Sequence, residues 1–363
     1  MRRLGEAQPY HQDNVTLVAE EDGTAVAEAS AIPMRQNVRG TVYPMAGIAG
    51  VASHPLARRR GHVRAVLDEL LGRMRDEGNA VSALYPFRPS FYERFGYVGV
   101  PRTRTVRFSP ADLGSLIRTE PAGDVALDRV GAGFGVYRKF THGLLPLRHG
   151  FSVLPECQEA QLRDADARWL VTARVDGEVV GAVTYRITGF GEELIADDLL
   201  VTGPLGRALL LRFFARHVDQ VATIVLTVPP DEVPELWTTD LAAVTETRTA
   251  FPASAAPMAR VLSLDALNGM AVGAGRVEVR IVDDPLLGGS YVLDGRSGVL
   301  EVTRSAAPSP GVTLTAMGLS GLVYGVLQPG DVVIRGFGDV PSDAVPDLSA
   351  LFPRSLPYFF ARF

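Results

Sequence analysis

Cysteine is almost absent: the 363-residue chain has one, Cys157. A single thiol excludes an intramolecular disulfide framework and any cysteine-based zinc site. Histidine is scarce too, and its six residues show no HxxxH or HxH spacing, so no metal site is expected. No apolar run is long enough to span a bilayer. The opening MRRLGEAQPYHQDN has basic residues but no apolar core, so it does not read as a secretory signal, and a reduced, cytoplasmic setting is expected. Lysine is nearly missing as well: Lys139 is the single one, and arginine carries the rest of the basic charge. Nor is there an excess of positive charge. A net charge of −5 weighs against a general nucleic-acid binder. What remains is ordinary globular composition, 47% hydrophobic and 21% charged, which excludes a disordered or collagen-like chain. The length suggests two or three domains.

The first segment predicts strands over Val15–Ala19 and Ala25–Ile32 about an Asp-Gly turn, and a third over Thr41–Ser53. Pro55 breaks that run. An amphipathic helix follows, with Val63, Val66, Leu67, Leu70, Leu71 and Met74 at helical spacing and Gly78-Asn79 as its stop. Ala80–Tyr85 reads as a strand and the FYERFG block as a short helical turn closed by Gly96. Pro110, Pro121 and two glycines predict a boundary near 109–123. Beyond it a hairpin across Asp176-Gly177, a strand, an apolar helix over Leu205–Val218 and a strand over Ala222–Val228 repeat the first segment's order without repeating its residues. A third segment, from about residue 263, reads as short strands joined by turns. It ends in Tyr358-Phe359-Phe360-Ala361-Arg362-Phe363, too apolar for a free tail. The expected domains are 1–115, 116–262 and 263–363.

Chemistry concentrates where the third strand meets the first helix. Arg58-Arg59-Arg60-Gly61 fills that junction. The first N–H groups of a helix lack internal acceptors, and the positive end of its dipole stands behind them. A pyrophosphate fits such a place, glycine permits close backbone approach, and arginine pairs with phosphate in a fork. The competing reading is a solvated basic turn. The second segment has Gly203-Pro204-Leu205-Gly206-Arg207 at the corresponding point, with one N–H removed by proline and one cation.

VASHPLARRRGHVRAVL followed by ALYPFRPSFYERFGYVGV resembles the acyl-CoA N-acyltransferases of the GNAT superfamily. With the second, degenerate copy and the aromatic tail, the chain resembles the Eis (enhanced intracellular survival) branch. That resemblance implies an α+β chain: two tandem GNAT-type domains, the first shortened at its N-terminus and the second degenerate, then a C-terminal sterol-carrier-protein-2-like domain that supplies the chain end. It implies acetyl-CoA as acyl donor, held by Arg58, Arg59, Arg60, Gly61 and His62 at the pyrophosphate and by the backbone of Val51, Ala52 and Ser53 along the pantetheine. It implies no metal. Tyr92 matches the family's general acid for the departing thiolate, and the Phe363 α-carboxylate its general base. From the residues alone, Tyr92 and the tail read equally as packed aromatics.

The chain departs from the family in three places. Val63 stands where the loop pattern usually has Gly or Ala, and Arg362 stands beside the terminus where related enzymes carry an acid. Only Met1–Asn14 precede the first strand, where the family usually has a strand and two helices. The implied activity is transfer of acetyl to a primary amine of a small molecule or lysine-like side chain by direct attack, in a homo-oligomer that the resemblance makes a hexamer. The alternative is a catalytically inactive protein of the same build that binds an apolar ligand or a protein partner. No G-x-S-x-G occurs and Cys157 has no evident partner, which disfavours a hydrolase.

Overall fold

The computed structural model describes residues 8–250, 255–305 and 311–363. In chain order, the short helix α1 (Gln8–His11) leads to strands β1 (Val15–Glu21), β2 (Thr24–Val38) and β3 (Thr41–Ser53). Helix α2 (His62–Asp76), β4 (Val81–Leu84), α3 (Pro89–Glu93) and β5 (Val98–Gly99) follow. The middle of the chain holds β6 (Arg104–Phe108), α4 (Gly114–Ile117), β7 (Asp124–Arg129), α5 (Val130–Leu144), β8 (Ser152–Val153) and α6 (Glu156–Ala165). Next come β9 (Trp169–Val175), β10 (Glu178–Ile187), β11 (Glu193–Asp198), β12 (Leu200–Val201), α7 (Pro204–Ala215), β13 (Thr223–Val228) and β14 (Ala243–Glu246). The last stretch is β15 (Met258–Val261), β16 (Arg276–Val282), β17 (Gly289–Asp294), β18 (Glu301–Arg304), β19 (Val312–Thr315), α8 (Ala316–Val323), α9 (Pro329–Ile334), β20 (Gly338–Asp339) and α10 (Val345–Leu351).

The chain divides into two compact units. One comprises residues 1–101, 145–157 and 249–363, the other 102–144 and 158–248. This partition differs from breaks at 115 and 262. The strand at 104–108 pairs with β13 and β14 of the second unit. Residues 258–261 form β15 of the first unit, between β4 and β5. Residues 263–363 do not stand apart either. Their buried side chains, such as Leu293, Leu319 and Phe352, share one core with Ile32, Met45 and Val81 of the first segment.

In the first unit, β1-β2-β3-β4-β15-β5 form a sheet in that order, with β8 on β2. β3 and β4 run parallel, the others pair antiparallel. Helix α2 lays Val66, Leu67, Leu70, Leu71 and Met74 on this sheet. Each such burial is worth about 1.5–3 kcal/mol. The same unit holds a smaller sheet, β18-β17-β16-β19-β20, backed by α8, α9 and α10. The second unit has the sheet β14-β6-β13-β11-β10-β9-β7. Its α7 packs Leu209, Leu210, Leu211 and Phe214 against Val171, Ala173 and Val183.

Candidate active site

Two local features open the edge of β3. The first is a bulge. Glu28 pairs with Ala52 and Ser30 with Ala49, so Ala29 alone faces Gly50 and Val51. Gly50 takes φ +62, a left-handed conformation glycine adopts without strain. The second is the early end of β4. Its parallel register with β3 runs from Met45–Val81 to Ile48–Leu84 and stops. Beyond Ile48 the β4-side backbone edge of Ala49–Ser53 has no strand partner among the described residues. Val51, Ala52 and Ser53 therefore sit on a free edge, able to pair with an extended amide-bearing ligand.

That edge leads into the arginine loop. Gly61 is the N-cap of α2 at φ +91 with no side-chain cap, and a Cβ there would meet nothing within 4 Å. Arg59 is also left-handed, at φ +63. No hydrogen bond among the described residues satisfies the N–H groups of Arg59, Arg60, Gly61 or His62. Arg58 and Arg59 are exposed without an ion pair among the described residues. Arg60 differs, because its guanidinium bonds Glu21 at the end of β1, 2.8 Å away. His62 Nε2 lies 3.1 Å from the other Glu21 oxygen but outside hydrogen-bond geometry. The loop thus offers backbone donors, two free guanidiniums and a third tethered by an acid, an arrangement suited to a phosphate-bearing ligand. The sequence reading missed Glu21, which no local motif marks.

Tyr92 lies in α3 and is 3% exposed. Its ring sits edge-on to Phe87 at 5.4 Å, Phe91 at 5.0 Å and Tyr97 at 6.2 Å. No hydrogen bond from a described residue engages its hydroxyl. Burial, with Tyr97 beside it, holds its proton well above the ordinary tyrosine range. The group is therefore a neutral phenol throughout the physiological range, a donor rather than an acceptor of protons. Tyr97 is pushed up to about 12 by burial, against the opposing pull of its bond to Ser82 and the nearby Arg260 charge.

The turn that carries Tyr92 is clamped from below. Phe95 N–H bonds the Tyr92 carbonyl at 3.0 Å, and the Phe95 carbonyl accepts from Arg260 Nη1. Arg260 is buried, with its other donors on the Val261 carbonyl and on both oxygens of Asp284 at 3.0 and 3.2 Å. Asp284 also accepts from the N–H groups of Leu286 and Leu287. Such a pair costs desolvation to form, yet losing one partner costs about 3–5 kcal/mol.

The tail is docked. Phe359 and Ala361 are buried, and Phe360 stacks on Phe151 at 4.6 Å. Tyr358 N–H bonds the His149 carbonyl at 2.8 Å. Tyr85 Oη donates to the Ala361 carbonyl at 3.1 Å, and the Phe363 ring meets Tyr85 edge-on at 5.5 Å. A Cβ on Gly47 would fall 2.6 Å from Met34 Sδ and 3.0 Å from the Phe363 ring, so glycine leaves room on β3 for both side chains. Phe363 and Tyr92 thus both touch the segment after β4, through Tyr85 and Phe87 respectively. The structure brings these two residues and the free β3 edge to one end of one sheet.

The second unit has none of this at its matching junction. Gly203 is extended and Pro204 opens α7. A Cβ on Gly206 would fall 2.3 Å from the Val180 carbonyl, so the first turn of α7 is pressed onto β10. Arg207 is held by Glu232 at 2.8 Å, which also accepts from Trp237.

Residues 2–99 and residues 154–261 each match a model described as an acetyltransferase (GNAT) domain. An uncharacterized N-acetyltransferase of Streptomyces avermitilis is 30% identical over 211 residues, 53% of this chain and 51% of that protein. The N-acetyltransferase Eis of Mycobacterium tuberculosis is 42% identical over 73 residues, 20% of this chain and 18% of that protein. The matches thus span about half, or less, of these relatives. A GCN5-related N-acetyltransferase of Kribbella flavida has the same fold, with TM-score 0.78 and 24% identity over 96% of this chain and 88% of the other. Eis1 of Mycobacterium abscessus gives TM-score 0.77 and 20% identity over 96% and 90%.

Proposed function

We propose that this chain, which carries two acetyltransferase domains of the GNAT type, is an acetyl-CoA-dependent N-acetyltransferase whose single working site lies in the first unit. The observation that carries the reading is the asymmetry of the two strand–loop–helix junctions: one is open, uncapped and basic, the other closed and neutralised.

In this reading Arg58, Arg59, Arg60, Gly61 and His62 hold the pyrophosphate of acetyl-CoA, and Glu21 releases Arg60 to it. The free edge of Val51, Ala52 and Ser53 pairs with the pantetheine amides and aligns the thioester. The Phe363 carboxylate accepts a proton from a primary amine as its nitrogen attacks the acyl carbon. Tyr92 gives its proton to the sulfur as the C–S bond breaks. A free thiol titrates near ~8.5, and the apolar surroundings that raise the Tyr92 pKa raise the thiol's in the same direction, so the transfer suits a concerted step. No metal takes part in this scheme. The acceptor is a small molecule or a lysine-like side chain.

The smaller sheet with α8–α10 is read as a sterol-carrier-protein-2-like domain whose part is to deliver the C-terminus. Assembly as a homo-oligomer, a hexamer by resemblance, belongs to the same proposal. Among the described residues no helix is long and apolar enough to cross a membrane.

Calorimetry with acetyl-CoA on the full chain tests the reading. One binding site per chain, followed by turnover with an amine panel, is the expected result. Two sites, or none in a folded protein, would overturn it.

A further inference from the structure

The second unit contains a cavity of about 350 Å³ that the proposed chemistry does not use. It lies between the C-terminal half of α5 and the β9–β10 hairpin, with Thr202 at its edge. Two local features make the space. Gly143 of α5 has nothing within 4 Å of where a Cβ would stand, which leaves a gap beside the helix. The hairpin reverses through Asp176 and Gly177, both at positive φ, and brings the ends of β9 and β10 to that gap.

The wall is apolar below and cationic at the sides. Phe140 and Leu144 are buried in it, and Val179 faces them. Lys139, the only lysine of the chain, lines it from the helix, and Arg174 from the strand. The direction of Arg174 follows from strand alternation. Leu170 meets α5 at Gly133, so Thr172 and Arg174 turn to the same face. Arg174 has two cross-strand partners on that face, Val179 of β10 and Asp124 of β7, and Asp124 is not within ion-pair distance of it. Glu178 also lines the cavity, but its partner Val175 packs in the α7-side core, so the same alternation turns its carboxylate away. Among the described residues neither Lys139 nor Arg174 has an ion-pair partner. Lys139 and Arg174 thus bring two cationic donors to one apolar hollow, a lining suited to an anionic head group.

We propose that this cavity binds a small amphiphilic anion: an apolar chain or ring bearing one carboxylate or phosphate ester. Its size is at the small end of ligand pockets, roughly 300–1,000 Å³. The head group pairs with Lys139 and Arg174, and the hydrocarbon covers Phe140, Leu144 and Val179. The proposal is independent of turnover in the first unit.

The lone lysine supplies its own probe. Full-length protein isotopically labelled at lysine Cε gives one side-chain signal, that of Lys139. It is titrated with octanoate, phenyl phosphate and neutral octanamide, with acetyl-CoA kept saturating so that the arginine loop is occupied. The expected result is a saturable shift with at least one anion, none with octanamide, and the tighter of the two anions identifies the head group. Calorimetry on the doubly substituted chain, Lys139→Gln with Arg174→Gln, should show about tenfold or more weaker anion binding with thermal midpoint and acetyl-CoA affinity unchanged. No saturable shift with either anion at millimolar concentration, an equal response to octanamide, or unchanged anion affinity in the doubly substituted chain each overturns the proposal.

Discussion

The two units place a strand, a turn and a helix at matching points and finish them in opposite ways. In the first, Gly61 caps α2 at φ +91 in open space, and its neighbours are exposed arginines. In the second, Gly203 is extended, Pro204 removes a donor, and Gly206 brings the helix onto the β10 backbone. The sole cation there is already paired with Glu232. The fold therefore does not make an anion site by itself. A site needs donors without acceptors and space in front of them.

The sharpest way to break this contrast is one substitution made twice. Gly61→Asp forces a side chain into a left-handed position and sets a carboxylate among the loop's donors, so acetyl-CoA affinity should fall by about a hundredfold or more. Gly203→Asp, at an extended position with open space, should leave that affinity unchanged. Equal losses by calorimetry would mean that both units bind.

Next in size is Tyr92→Phe. It should lower kcat by about 10²–10³-fold with acetyl-CoA affinity preserved, because the ring packing survives and only the proton donor goes. Wild-type kcat would remove Tyr92 from the chemistry. Adding a few residues after Phe363 should lower kcat by about 10²-fold, again with the donor site intact, because a peptide carbonyl replaces the proposed base while the Phe363 ring keeps its seat by Gly47 and Tyr85.

A last contrast separates the units by acid sensitivity. Burial pushes His149 down to about 4, and its ring accepts the Arg39 N–H at Nδ1 while Nε2 meets the Tyr324 carbonyl at 3.0 Å. The unfolded chain binds this proton near pH 6.5, the folded one only near 4. Stability is thus complete above the higher value and falls as pH drops towards the lower, by about 3 kcal/mol at most. His217 of the second unit is also lowered by burial. Urea midpoints between those pH values should flatten more in His149→Asn than in His217→Asn.

Helix α2 was legible because its apolar positions repeat without interruption, and the hairpin because Asp-Gly is a strong turn signal. The arginine loop was legible for the same local reason. Helix α5 was not: Gly131, Gly133, Gly135 and Gly143 depress its helical propensity, and only packing on β7, β9 and β10 sustains it. The Gly50 bulge had a faint signal, two glycines inside a strand pattern. The Arg260–Asp284 clamp and the landing of Phe363 on Gly47 had none, since each joins residues far apart in sequence.

The insertion of β15 between β4 and β5 has a consequence for the order in which the molecule forms. A ribosome must release residues 258–261 before the first sheet gains an inner strand, although most of that sheet emerges within the first hundred residues. The second unit can close its own sheet earlier, from residues 104–246. Non-local pairing of this kind is slow because a long loop must close before any contact rewards it. The earliest-made part of the chain is thus among the last to mature, and its half-built sheet waits with an open edge during synthesis.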